Sequence, residues 1–239
     1  MDDNNLPQKD LIKKIVGDAR GAVGIRLCAI GVDLGIFEDL AKNGPATSQE
    51  LADRMNLDER YLREWGLGMF SLGYLDFDKV SRKISLNKEF IPVLVEEGGK
   101  FSQKGLIEIL NSSLLPYHEL LNSFKNGGGI NYDKIDKGFW NGIDQTGCTR
   151  YRHFLVTDWV DKMPELKSRL ETGSVTFADF GCGSGRSTVE MAKKFPKSQF
   201  FGFDLFEPNI ERAKKIALDA GVKNNLKFMQ WDVSNPLTE

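Results

Sequence analysis

Three aspartates each stand at the end of a short apolar run, and a cluster of glycines lies between the first two. Residues 175–180 lead into Gly181, Cys182, Gly183, Ser184 and Gly185, with Asp179 two places before the loop. Asp204 closes the next run, residues 200–203, and Asp232 closes a third. Glycine permits backbone angles that side chains forbid, and it lets a ligand approach the main chain closely. A carboxylate at a strand tip can accept from both hydroxyls of a ribose, each charge-assisted bond contributing roughly 1.5–3 kcal/mol. Asp179 sharpens the choice of nucleotide. A carboxylate beside the cradle repels a pyrophosphate but suits a ligand that carries an ammonium and a sulfonium. The dinucleotide pattern G-x-G-x-x-G/A fails as well. The third glycine comes one place early, and Arg186 stands where that pattern wants a small residue. No G-K-[ST] follows, so the phosphate-binding P-loop is excluded.

These residues need elements to hold them. Residues 175–180 favour a strand, and residues 187–195 carry Val189, Met191, Ala192 and Phe195 at helical spacing until Pro196 stops the helix. A second strand ends at Asp204. An amphipathic helix follows over 208–220, with Ile210, Ala213, Ile216 and Ala217 on one face and Gly221 as its C-terminal stop. Residues 226–231 then read as a third strand. Strand, glycine turn, helix and strand make a βαβ unit, and open sheets of this kind bind ligands at the carboxyl ends of their strands.

Asp179-Phe180-Gly181-Cys182-Gly183-Ser184-Gly185 resembles the first motif of class I S-adenosylmethionine-dependent methyltransferases. Gly202-Phe203-Asp204-Leu205 is similar to the second motif, and residues 225–233 (NLKFMQWDV) are similar to the third strand with its acidic end. The resemblance implies S-adenosyl-L-methionine as cofactor. It places Gly181, Gly183 and Gly185 against the methionine part, Asp179 at its amino group and Asp204 on the ribose. It packs Leu205 on the adenine and brings Asp232, with Val233 beside it, to the adenine amino group. It also implies a larger sheet, of which this chain supplies only strands 1–3. The first strand would then be an edge where a central strand is needed, so the chain is expected to be a C-terminally truncated product or a fragment.

The N-terminal half reads differently. Residues 9–40 are helical in pattern, and the glycines that recur there suggest either close helix packing or a break near 21–24. Thr47 and Glu50 form a capping box, Asp58 caps a helix over 59–72, and two extended runs, 74–77 and 83–86, flank a polar turn. Helix, turn, helix and hairpin make a winged-helix plan. A DNA reader would need a basic recognition helix, yet Asp58, Glu59 and Glu64 offset Arg60 and Arg63. The arrangement instead resembles the dimerising N-terminal domain of winged-helix O-methyltransferases, which implies a homodimer through that domain. Apolar positions between Leu11 and Leu40 fit such an interface, and equally fit an ordinary core. Beyond it, residues 102–124 form a helical region that Pro116 divides, Gly127 to Gly129 open a loop, and residues 139–170 give one or two further helices. The two histidines, His118 and His153, receive no role.

Composition sets the limits. Of 239 residues, 41% are hydrophobic and 28% charged, as in a globular protein, and a net charge of −2 provides no field for nucleic acid or acidic membrane. No apolar run spans a bilayer, and the acidic start MDDNNLPQKD does not resemble a secretory leader. Three scattered cysteines suit neither a disulfide framework nor a metal cluster, and they point to the cytosol. The expected fold class is α/β, a mostly helical winged-helix domain over residues 1–95 joined to the first half of a Rossmann-like sheet over 171–239, with a helical substrate-side region over 96–170 between them. The expected function is methyl transfer from S-adenosylmethionine to a small-molecule acceptor, with no general base assigned and no metal. A non-catalytic cofactor-binding or dimerising protein and a winged-helix DNA-binding regulator are the alternatives.

Overall fold

The computed structural model describes residues 8–235, the side chain of residue 133 excepted. The outer ends of the expected domains 1–95 and 171–239 therefore lie outside the described residues. The chain divides into two compact units, one through Ile143 and one from Asp144.

The first unit opens with α1 (Gln8–Asp33) and α2 (Ile36–Asn43). Of the two readings of the α1 glycines, close packing holds and the break near residues 21–24 is absent: α1 runs unbroken to Asp33, and the chain turns at Gly35, whose φ is +69°. Packing outweighs the helix-weakening glycines. Gly31 lies so close to its neighbours that a Cβ there would sit 2.5 Å from the Phe37 ring and 2.7 Å from the Trp65 ring. Trp65 Nε1 also donates to the α1 carbonyl of Leu27 at 2.9 Å. These contacts fix α1 against α4 (Glu59–Leu72).

The predicted caps are present. Thr47 Oγ1 accepts from the Glu50 amide at 3.2 Å, and Glu50 Oε2 accepts from the Thr47 amide at 2.8 Å, starting α3 (Ser48–Met55). Asp58 accepts from the Tyr61 amide at 3.2 Å and starts α4. The wing is an antiparallel pair, β1 (Leu75–Phe77) with β2 (Ile84–Leu86), and Ala46 bridges to Ile84. Its core includes Ile36, Phe37, Leu51, Leu62 and Met69, all essentially inaccessible. After β2 a short 3-10 turn (Lys88–Phe90) runs into a π turn (Ile91–Val95) with Pro92 in its first positions. Pro116 divides α5 (Lys104–Ser113) from α6 (Tyr117–Asn126), as its missing amide requires. Gly127, Gly128 and Gly129 all adopt positive φ, so this stop is one that only glycines fill without strain.

Helix α7 (Lys137–Arg150) spans the unit boundary. In the second unit it continues as a π-helix (Tyr151–Val160), followed by α8 (Pro164–Thr172). Three strands then alternate with two helices: β3 (Thr176–Phe180), α9 (Arg186–Lys194), β4 (Gln199–Asp204), α10 (Glu207–Asp219) and β5 (Leu226–Gln230). The sheet order is β3-β4-β5 and both pairings are parallel. The register sets Asp179 opposite Gly202 and Asp204 opposite Gln230.

One face of this sheet is covered. Phe200 packs with Met191, Ala192 and Phe195 of the α9 side, while Phe228 packs with Ile210 and Ala213 of α10. Buried Asn225 ties the start of β5 to the end of α9, its amide donating to the carbonyls of Ala192 at 3.0 Å and Ser198 at 3.2 Å. The other face exposes Thr176, Ala178 and Phe180 on β3 and Met229 on β5. Among the described residues β3 pairs only with β4, so it is an edge with one free row of amides. Parallel sheets are ordinarily covered on both faces.

Candidate functional site

The glycine loop is held at both ends by the strand beside it. The amides of Gly181 and Cys182 both donate to the Phe203 carbonyl, at 2.8 and 2.9 Å. The Gly183 amide donates to Asp204 Oδ2 at 2.9 Å. A tight turn then closes through the Gly185 amide and the Cys182 carbonyl at 2.9 Å, and α9 begins. All three loop glycines have positive φ, +76° at Gly181, +54° at Gly183 and +71° at Gly185, yet their surroundings differ. A Cβ on Gly185 would meet the Phe228 ring at 2.4 Å and Ala213 at 2.8 Å, so Gly185 is needed for packing. A Cβ on Gly181 or Gly183 would meet nothing within 4 Å. Those two glycines leave the main chain open on the side where a ligand can approach.

Asp204 is the best-connected acid of the three strand ends. Oδ1 accepts from the Phe206 amide at 3.0 Å and from Asn209 Nδ2 at 3.1 Å, while Oδ2 accepts from Gly183. A carboxylate offers about four lone-pair positions, so one remains open, on Oδ2. The sequence alone suggested both oxygens for a ribose; the geometry leaves room for one direct bond unless Asn209 moves. Asp179 faces the first turn of α9, where Oδ2 accepts from Ser187 at 2.9 Å and Thr188 at 2.7 Å. Cys182 is buried between the acids. Burial first, and then the charges of Asp179 and Asp204, push its thiol up to about 12, so it remains a neutral, apolar spacer.

The remaining sequence candidates lie further out. Leu205 is 52% exposed, and its carbonyl accepts from Gln230 Nε2 at 2.9 Å. Asp232 lies two residues past β5, where Oδ1 accepts from the Ser234 amide at 2.9 Å, and hydrogen bonding to Ser234 holds its carboxyl below the usual range. The chain is tied back at the preceding residue, since the Trp231 amide donates to the Asp204 carbonyl at 3.0 Å. Val233 is exposed. The structure therefore joins the glycine loop and Asp204 into one hydrogen-bonded group, while Asp179, at the other end of the loop, bonds to the first turn of α9. Asp232, Leu205 and Val233 stand at the rim of that group without direct bonds to it.

Sequence reasoning missed an acid. Asp144, with its side chain 7% exposed, takes a two-pronged pair from Arg186, Nε to Oδ1 and Nη2 to Oδ2, both at 2.8 Å. Arg212 Nη2 reaches Oδ2 at 2.9 Å, and the Ser184 hydroxyl donates to Oδ1. Burial pushes the Asp144 carboxyl up, but the hydrogen bonds from Arg186 and Ser184 and the two guanidinium charges outweigh it, and the net shift is downward. Nothing local marked Asp144. Arg186, noted only for being too large for a dinucleotide loop, was the available signal.

With this geometry in hand, comparison with known proteins finds a match for each half of the chain. Residues 21–95 match the profile described as an Rv2258c-like winged HTH domain, and residues 171–239 match that of a methyltransferase domain. The chain joins a winged-helix domain to a methyltransferase domain. Solved structures share the fold at low identity. The N,N-8-amino-8-demethyl-D-riboflavin dimethyltransferase of Streptomyces davawensis is 17% identical with a TM-score of 0.62, over 95% of this chain and 68% of that one. Human N-acetylserotonin methyltransferase, solved with S-adenosylmethionine, is 16% identical with a TM-score of 0.60, over 100% of this chain and 70% of that one. Among curated sequences, the protein RP028 of Rickettsia prowazekii is 44% identical over 55 residues, 23% of this chain and 21% of its own length. A tRNA (guanine-N(7)-)-methyltransferase of Aliivibrio fischeri is 32% identical over 75 residues, 31% of each chain. The match thus spans about a fifth to a third of these two curated relatives. Among the described residues of this winged-helix and methyltransferase-domain chain, no helix is long and apolar enough to cross a membrane.

Proposed function

We propose that the methyltransferase domain binds S-adenosylmethionine at the group formed by Asp179, the glycine loop and Asp204, and that it serves methyl transfer to a small-molecule acceptor. The observation that carries this reading is the bond from the Gly183 amide to Asp204 Oδ2, beside two glycines whose outer sides are open. A bare main chain bonded to one carboxylate, with a second two residues before the loop, suits a cationic adenosyl ligand better than a phosphate-bearing one. Asp179 would hold the ammonium and Asp204 a ribose hydroxyl, with Leu205 against the adenine and Asp232 and Val233 at its edge. When bound, the donor supplies a methyl group already activated on sulfur. The residues then act by orientation, which is where most of the rate advantage of such a displacement arises. Calorimetric titration of the chain with S-adenosylmethionine is expected to give saturable one-to-one binding; no binding would refute the reading.

The small-molecule acceptor is supported by the shared two-part fold, since the riboflavin-derivative and N-acetylserotonin enzymes carry it across nearly all of this chain's length. The tRNA methyltransferase match covers only about a third of the chain. A nucleic-acid acceptor, or a DNA-binding role for the winged helix, would need free cations. Of the five cations on the second helix and the wing, Arg63 pairs with Glu59 at 3.1 Å, Lys83 pairs with Glu50 at 3.2 Å and Arg82 lies over the Phe77 ring, leaving Arg60 and Lys79 short of a basic face.

The same proposal includes a homodimer through the N-terminal unit. Helix α1 exposes Ile12 at 61%, Ile15 at 68%, Val16 at 59% and Val23 at 57%, an apolar stripe that a lone helix in water would not favour. Sedimentation velocity is expected to show a dimer that Ile15→Asp converts to monomer at the same concentration. A monomeric unaltered chain would exclude the dimer. The three cysteines, all free, fit a reducing cytosol.

A further inference from the structure

We propose that Asp144 is a positioning residue for the donor site: one buried carboxylate sets the glycine loop, the first residue of α9 and the early part of α10 in register. The inference rests on the reading that this loop holds S-adenosylmethionine. Each of the tied elements follows a strand at its carboxyl end. Ser184 lies in the loop after β3, Arg186 is the first residue of α9, and Arg212 lies in α10, which follows β4. In a parallel sheet the two loops after neighbouring strands flank the ligand, and here the strands and the Asp204 carboxylate already tie them together from the strand side. Asp144 adds a second constraint from the helix side. It accepts from all three residues at once, through Arg186 at 2.8 Å on each oxygen, Arg212 at 2.9 Å and the Ser184 hydroxyl.

The geometry favours a positioning role. A two-pronged guanidinium–carboxylate pair fixes orientation as well as distance, which a lysine in place of Arg186 could not do. Cys148, one helical turn beyond Asp144, receives the remaining Arg186 nitrogen at 3.5 Å, so α7 holds that guanidinium on two sides. Gly185 leads α9 from a left-handed backbone with no side-chain cap, and Asp179 holds the first turn from the strand side through Ser187 and Thr188. Asp144 adds an anchor on the α7 side through Ser184 and Arg186, the residues on either side of Gly185. Both of its oxygens are taken up by Arg186, Arg212 and the Ser184 hydroxyl. It acts through Ser184 and Arg186.

The test uses the whole chain and Asp144→Asn, which keeps the shape but offers Arg186 an amide in place of one oxygen. Two measurements are needed. Hydrogen–deuterium exchange of the ligand-free chain is expected to show the amides of residues 183–187 exchanging at least tenfold faster in D144N, with those of β4 unchanged. Calorimetry at a temperature where both proteins are folded is expected to show at least tenfold weaker S-adenosylmethionine binding. Arg186→Lys keeps the charge and loses the fork, and is expected to show both effects at smaller size; it serves in place of D144N if that variant does not fold. Unchanged exchange in the loop overturns the proposal. So does a lowered melting temperature with unaltered affinity, which would make Asp144 structural only. Failure of the unaltered chain to bind the donor refutes the underlying reading and the proposal with it, and is distinguished by appearing without any substitution.

Discussion

Asp204→Ala is expected to weaken S-adenosylmethionine binding about 100-fold, the largest loss of affinity for any single strand-end acid. The open lone pair on Oδ2 gives one charge-assisted bond to a ribose hydroxyl, about 1.5–3 kcal/mol, and each 1.4 kcal/mol is a factor of about ten. Losing the carboxylate also frees the Gly183 amide, the Phe206 amide and the Asn209 amide group, all of which now end on it. The loop and the start of α10 lose their common acceptor, so the site is loosened as well as stripped of a contact. Asp232→Ala is expected to cost tenfold or less, because its bond to the Ser234 amide serves its own turn. Calorimetry on both variants separates the two cases. Equal affinities for Asp204→Ala and the unaltered chain would remove the ribose assignment.

The parts that the sequence showed are those governed by local rules. Thr47 with Glu50, Asp58, Pro116 and Gly221 each act within a few residues of themselves, and each performs its expected role. At the end of α10 the Gly221 amide donates to Leu218 and the Val222 amide to Ala217, at 3.0 and 2.9 Å, the paired bonds of a glycine stop. The strands and the loop between them were legible because apolar runs and glycines alternate at short range. What failed depended on tertiary contact. Glycines in α1 left close packing and a break both open, and the decision came from partners outside the window: Gly31 is there so that Phe37 and Trp65 can approach. Asp144 was invisible for the same reason: its partners Ser184, Arg186 and Arg212 are distant in the chain, and its own surroundings read as ordinary helix. The saturation of Asp204 Oδ1 by Asn209 was likewise out of reach, since a side-chain amide in the next helix has no sequence mark.

Gly185→Ala and Gly183→Ala place the same methyl group two residues apart, in backbones of the same hand, and are expected to fail differently. At Gly185 the added carbon would lie 2.4 Å from the Phe228 ring and 2.8 Å from Ala213, inside the packing of β5 and α10. Neither neighbour is the free end of a flexible chain, so the helix or the strand must shift. Overpacking costs about 1–3 kcal/mol and a left-handed alanine a further 1–2 kcal/mol, so a loss of roughly 2–5 kcal/mol is expected. For a unit of this size that is a fall on the order of 15 °C in Tm. At Gly183 only the backbone cost applies, since nothing lies within 4 Å of the new carbon, and the fall is expected to be about 5–10 °C. The methyl group there projects into the open side of the loop, so Gly183→Ala is expected to lower S-adenosylmethionine affinity at least tenfold while the protein remains folded. Thermal melts with and without the donor read both effects. The donor would raise the Tm of Gly183→Ala less than that of the unaltered chain, because a ligand stabilises the folded state as RT ln(1 + [L]/Kd). If Gly183→Ala were stabilised by the donor as fully as the unaltered chain, the open side of the loop would not be the binding face. The case for a donor site between Asp179 and Asp204 would then lose its geometric support.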